Sequence, residues 1–93
     1  MIGNARYIWD NEKDNSNYEK HGLHFSVAKR IFEDVNRIEM YDDKHSFYED
    51  RYITIGYVNR VIVVVYTERK NLIRIISARK ATKREEQLYY DNI

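Results

Sequence analysis

The stretch Tyr52-Ile53-Thr54-Ile55-Gly56-Tyr57-Val58-Asn59-Arg60-Val61-Ile62-Val63-Val64-Val65-Tyr66-Thr67-Glu68-Arg69-Lys70-Asn71-Leu72-Ile73-Arg74-Ile75-Ile76-Ser77-Ala78 decides the fold. From Tyr52 to Val58 the side chains alternate, with Ile53, Ile55 and Tyr57 on one face and Tyr52, Thr54 and Val58 on the other. That period of two is the signature of a strand. Asn59-Arg60 predicts a two-residue hairpin connection, because Asn accepts positive φ. Val61 to Tyr66 is apolar at every position, as a central strand covered on both faces must be. Glu68 to Asn71 predicts a second turn and Leu72 to Ala78 a third strand. The product is a three-stranded antiparallel meander.

Helices and short strands surround it. Tyr7-Ile8-Trp9 is β-prone and ends at Asp10, an N-cap for a polar helix over Asn11 to Lys20. Gly22 suits the left-handed position beyond that helix, with Lys20 and His21 at the negative end of its dipole. Ser26 is an N-cap candidate for a second helix of about nine residues, whose apolar stripe is Val27, Ala28, Ile31 and Phe32. Ile38 to Tyr41 predicts a short strand and Asp42 to Asp50 a loop. Thr82-Lys83-Arg84-Glu85 reads as a capping box opening a last helix with Leu88 and Tyr89 on its inner face. The fold class is α+β: a small antiparallel sheet, the meander at its centre, with helices packed mainly on one face.

At 93 residues the chain has room for one domain, residues 1–93. Absence of cysteine excludes a disulfide scaffold and thiolate metal sites and fits a reducing compartment. Val61 to Tyr66 is the longest apolar run, far short of the roughly 20 residues of a membrane helix. Met1 to Arg6 lacks the basic region and apolar stretch of a leader. A soluble, cytoplasmic protein without membrane contact is the expectation.

Sixteen basic and fifteen acidic residues leave a net charge of +1, but they are unevenly spread. Arg69, Lys70, Arg74, Arg79, Lys80, Lys83 and Arg84 occupy a stretch with no acid, whereas Glu33 to Asp50 carries seven acids against Arg37 and Lys44. The two stretches matter separately only if the fold keeps them on different surfaces; otherwise they pair or simply coat the exterior. Nine tyrosines cannot all be buried with satisfied hydroxyls, so several should face solvent or a partner.

Three histidines and no glycine-rich loop argue against a structural zinc site or a nucleotide cradle. No metal ligands and no cofactor are expected. Arg79 and Lys80 precede a helix N-terminus, with Arg51 and Arg69 at ends of neighbouring strands, an arrangement suited to anions. Arg74 and Arg79 have opposite parity, so an unbroken strand would point them to opposite faces. Bidentate arginines for phosphate and tyrosines for unpaired bases favour RNA over a small anion. RNA brings its own nucleophile, the 2′-hydroxyl, so cleavage needs a base, an acid and a cationic clamp. His45 and Glu49 are the acid–base candidates and Arg51, Arg69 and Arg79 the clamp. Lys80, Arg74, Lys83 and Tyr52 are candidates for RNA binding. Any of these could equally be a solvated or core residue.

Three blocks carry a family resemblance: Tyr7 to Lys13 with Asn17 to Phe25; His45 with Glu49 to Gly56; and Val63 to Arg69 with Arg74 to Thr82. From Tyr7 to Tyr90 they resemble the BrnT toxins, in the family's order, with Tyr48 where the family usually carries glycine. The resemblance implies a RelE-like ribonuclease of a type II toxin–antitoxin pair that cleaves RNA and stops translation. It also implies a hetero-oligomer with a BrnA-like antitoxin, through which alone operator DNA is bound. The alternatives are an inactive toxin-like subunit acting in a repressor complex, or a metal-dependent nuclease using the 33–50 carboxylates. The two-faced apolar strand separately predicts that an antitoxin segment or a second copy covers part of the sheet.

Overall fold

The computed structural model describes residues 6–93; the reading of Met1 to Ala5 lies outside them. The elements run β1 (Tyr7–Ile8), α1 (Asn11–His21), α2 (Phe25–Ala28) continuing into a 3-10 turn (Lys29–Glu33), β2 (Ile38–Tyr41), a 3-10 turn (Asp43–His45), β3 (Tyr52–Tyr57), β4 (Val61–Arg69), β5 (Leu72–Lys80) and α3 (Lys83–Asp91). The α+β class holds. The sheet has five strands, however, ordered β1-β5-β4-β3-β2, so the expected meander is its centre and not its whole. Nor is it purely antiparallel, because β1 pairs with β5 in parallel. Among the described residues no helix is long and apolar enough to cross a membrane.

α1 begins and ends as its sequence dictates. Asp10 accepts from the amides of Glu12 and Lys13 at 2.8 and 3.2 Å, and Gly22, at φ 66°, closes the helix on the Tyr18 carbonyl at 2.7 Å. The helix has almost no apolar face, and a buried amide helps fix its position instead. Asn17 donates to the carbonyls of Ala78 and Leu23, both at 2.8 Å, and accepts from the Ala78 amide at 3.1 Å. It thereby acts as a strand neighbour for the part of β5 that β1 is too short to cover.

The second helix does not start as expected. Ser26 is exposed, and the boundary residue is His24, whose own side chain makes no capping bond. Asp14 of α1 supplies the cap, accepting from the Phe25 amide at 2.7 Å, while the His24 ring stacks on Tyr18 at 4.0 Å. Phe25, Ala28 and Ile31 are buried, but Val27 is exposed and leaves the predicted stripe. Gly56 allows this segment to lie close on β3, since a Cβ there would meet Ile31 at 2.6 Å.

Both hairpin turns differ from expectation, the first being longer and the second shorter. Tyr57 pairs with Val61 across three residues, Val58 to Arg60, with Asn59 at φ 64°. The two-residue turn is Lys70-Asn71, where φ values of 49° and 71° give the twist that a tight hairpin needs. Beyond the second turn, β5 carries a bulge: Ser77 pairs with Val65 and Ile75 with Tyr66, so Ile76 is the extra residue.

Both faces of β4 are buried, as its composition requires. On one face Ile62, Val64, Ile75 and Ala78 pack with Phe25, Ala28 and Ile31. On the other, Ile55, Val61 and Val63 pack with Ala81 and Tyr89 of the segment leading into and along α3. Helices therefore cover both faces, a correction to the one-sided expectation. Tyr89 is the inner residue of α3, its hydroxyl donating to Asp34 at 2.5 Å, whereas Leu88 points outward. α3 reaches only one end of its face. Ile53, Val65 and Ser77 beyond it are half-buried and Met40 is exposed, so the sheet is partly open there.

Candidate active site

The open face collects arginines because of the bulge. Arg74 pairs with Thr67 and Arg79 with Val63, four residues apart on β4 but five apart on β5. The extra residue restores parity, so Arg74 and Arg79 share a face instead of opposing one another. Arg69 lies on that face by the alternation of β4. Along the strand Arg79 stands about 13 Å beyond Arg74.

At the end away from α3, Arg69 and Glu49 form a bidentate pair, with Nε and Nη2 each 3.0 Å from a carboxylate oxygen. The Arg69 hydrogen bonds hold the Glu49 carboxyl below the usual carboxylate range; slight burial opposes this, and Arg74 and Arg51 add their charge. This pair also joins the acidic stretch to the basic one, so the segregation read from the sequence is not complete in space. Thr67, fully buried beside Arg74 in the register, has the one buried side-chain oxygen among the described residues without a hydrogen-bond partner.

His45 stands on the adjoining loop with its Nδ1 3.0 and 3.1 Å from the Asp42 carboxylate oxygens. That contact fixes Nδ1 as the protonated nitrogen and leaves Nε2 for other partners. Ser46 pins the loop: its hydroxyl donates to the Asp42 carbonyl at 2.6 Å and accepts from the Arg51 amide at 2.9 Å. His45, Phe47, Tyr48, Glu49 and Arg51 together line a shallow cavity of about 270 Å³. Three of the five catalytic candidates thus share one cavity, and Arg69 adjoins it through its pair with Glu49.

Arg79 is placed differently. Its guanidinium is held by Glu85 of α3 at 2.7 and 2.8 Å, and those bonds push the Glu85 carboxyl down to about 2 against the opposing effect of burial. Lys80 pairs with Ile62 and so faces the side of the sheet covered by α1 and α2. Lys83 is exposed at the start of α3. Tyr52 likewise departs from the expected group: one residue after Arg51 the pleat turns it to the opposite face. There its ring packs between Tyr41 at 5.8 Å and Tyr66 at 5.6 Å. Asp42 and Thr67 were not singled out by sequence reasoning, and Glu85 was read only as the capping-box residue of α3. Only Asp42 carried a usable sign, its spacing of three from His45.

Among the described residues no three His, Asp or Glu side chains converge as metal ligands would. The arrangement offers proton-transfer groups and guanidinium groups around one cavity.

A family model described as "Ribonuclease toxin, BrnT, of type II toxin-antitoxin system" matches residues 9–85. Among solved structures, the chain is similar to the 1.1 Å crystal structure of the Brucella abortus ribonuclease toxin, BrnT, with a TM-score of 0.65 and 26% sequence identity. The likeness covers 83% of this chain and 96% of that one. No curated protein sequence matches the chain.

Proposed function

The chain belongs to the BrnT family of ribonuclease toxins of type II toxin–antitoxin systems, and from that premise we propose that it cleaves RNA by metal-independent transphosphorylation through the 2′-hydroxyl. The observation that carries this reading is the single cavity lined by His45 and Glu49, with Arg51 in its wall and Arg69 bound to Glu49. Glu49, kept ionised by its arginine neighbours, is suited to take the proton from the 2′-hydroxyl as that oxygen attacks phosphorus. His45, held by Asp42, is suited to give a proton to the departing 5′-oxygen. The P–O5′ bond breaks as the 2′-O–P bond forms, leaving a 2′,3′-cyclic phosphate and a free 5′-hydroxyl. Arg51, Arg69 and Arg74 stabilise the charge that gathers on the phosphoryl oxygens. Arg79 and Lys83 extend the cationic surface toward the start of α3 for the rest of the strand, whereas Lys80 faces the other side of the sheet.

The consequence for a cell is arrest of translation by loss of RNA in the cytoplasm. A BrnA-like antitoxin neutralises the activity in a hetero-oligomer that reaches operator DNA through the antitoxin alone. The half-open sheet face beyond α3, with Ile53 and Val65 half-buried and Met40 exposed, supports a partner that completes it.

The test is direct. The purified chain, incubated with RNA in excess chelator, should release fragments ending in cyclic phosphate, and Arg69→Ala should abolish this. Cleavage that requires a divalent cation, or fragments ending in 3′-hydroxyl, would overturn the mechanism. Binding to RNA and to the antitoxin without any cleavage would select the inactive repressor subunit.

A further inference from the structure

Phe47 and Tyr48 have no structural reason to stand where they do. They are the two most exposed aromatic side chains among the described residues, at 79% and 102% of full exposure. Among the described residues neither ring stacks on another, and neither the Tyr48 hydroxyl nor either ring enters a hydrogen bond or cation contact, whereas Tyr41, Tyr52, Tyr66 and Phe32 pack in series. Left in water, adjacent apolar rings contribute no burial to folding. The loop that holds them is not loose. Ser46 bridges the Asp42 carbonyl and the Arg51 amide, and the Asp42 amide donates to the Arg51 carbonyl at 2.9 Å, so both ends are tied together just before β3. The rings are therefore presented on a fixed frame.

Both rings also line the cavity that contains His45, Glu49 and Arg51. An aromatic face beside guanidinium groups matches a single-stranded nucleic acid, in which the base stacks while its phosphate meets arginine. An apolar protein segment would use the rings but offer nothing to Arg51, which lines the same cavity. We infer that Tyr48, seconded by Phe47, is a stacking platform that holds an unpaired nucleobase next to the phosphate being cleaved. The inference deepens the ribonuclease reading and rests on it for the identity of the ligand. It makes the protein select single-stranded over duplex RNA, since a paired base cannot reach the ring. Tyr48 and Phe47 are positioning residues; they move no proton.

The experiment uses the full chain and a short single-stranded oligoribonucleotide carrying 2′-O-methyl groups, which cannot be cleaved. Tyr48→Ala should weaken its binding about tenfold or more, Phe47→Ala should weaken it less, and Tyr48→Trp should restore it. Binding of the same oligonucleotide as a duplex, or with the base at the platform removed, should be indifferent to Tyr48. Because Tyr48 is fully exposed, circular dichroism and thermal unfolding of the variants should match the wild type. Equal binding by wild type and Tyr48→Ala would overturn the inference and leave the rings to a protein partner. Wild-type protein that binds none of the probes would overturn it together with RNA as the substrate. Platform-dependent binding without cleavage of unmodified RNA would overturn the catalytic reading and leave the platform standing.

Discussion

Arg79 and Glu85 meet across the turn between β5 and α3 through two hydrogen bonds of 2.7 and 2.8 Å. The same carboxylate accepts from the Thr82 amide at 2.9 Å, while the Glu85 amide donates to the Thr82 hydroxyl at 3.2 Å. One side chain therefore starts the helix and neutralises the arginine that ends the open face. An RNA phosphate reaching Arg79, as proposed, would have to displace Glu85.

The Arg79–Glu85 pair predicts an acid-dependent stability. The Arg79 hydrogen bonds lower the folded-state Glu85 carboxyl from 4.5 to about 2. A depressed carboxyl contributes its stability above the unfolded value and loses it as the pH falls through the folded one. Glu85→Gln should lower the melting temperature at neutral pH by several degrees, since about 1 kcal/mol moves a domain of this size by about 4–8 °C. Between pH 4.5 and 2 the gap between wild type and variant should close. A gap that stays constant across that range, measured by thermal unfolding, would show that Glu85 acts only as a cap. RNA affinity should rise in the variant, because Arg79 is released.

Asn17 is buried and makes three hydrogen bonds, two of them to Ala78. Asn17→Ala strands the amide and carbonyl of Ala78 at an uncovered strand edge, and each buried unsatisfied group costs about 1–3 kcal/mol. The variant should unfold several degrees earlier. Hydrogen exchange at the Ala78 amide should accelerate more than at Ile55 in the centre of the sheet. Equal protection at both positions would remove α1 from its role as an edge strand.

Thr67 offers the reverse. Its hydroxyl is fully buried and unpartnered among the described residues, so it pays desolvation with nothing gained in the free protein. Thr67→Val keeps the shape and removes the orphan oxygen. It should be as stable as the wild type or up to about 1 kcal/mol more stable by chemical denaturation. A loss of stability would mean that the hydroxyl is satisfied in solution.

Much of the fold was legible because it is local. Asp10 and Gly22 bound α1, Thr82 and Glu85 open α3, and unbroken apolar character marks β4; each follows from one or two side chains acting on their own backbone. What escaped depends on residues far apart in the chain. Asp14 replaces Ser26 as the cap of α2, and nothing within residues 23–28 announces it. The bulge at Ile76 leaves no trace in the apolar pattern, yet it decides that Arg74 faces the same way as Arg79. Site residues were legible by type and not by company. His45, Glu49 and Arg51 were chosen for their chemistry alone, and the fold brings the three around one cavity. Lys80 and Tyr52 were grouped with them until the pleat separated them.

The Glu49–Arg69 pair separates proton transfer from positioning. Glu49→Gln is nearly isosteric and can still accept one hydrogen bond from Arg69, but it cannot take a proton. If Glu49 is the base, the variant should lose about 10²–10⁴-fold in cleavage rate with little change in RNA affinity. The acid limb of the wild-type pH–rate profile should lie below the ordinary carboxylate range, because Arg69 holds the carboxyl down. That limb should vanish in Glu49→Gln. If Glu49 only aims Arg69, the rate should fall less, the limb should survive, and Arg69→Lys should be as damaging as Glu49→Gln. Rates of cleavage of a single-stranded RNA across acid to neutral pH, for wild type and the two variants, distinguish these outcomes. A full rate in Glu49→Gln would exclude Glu49 from both roles and leave the His45–Asp42 pair as the only proton carrier at the cavity.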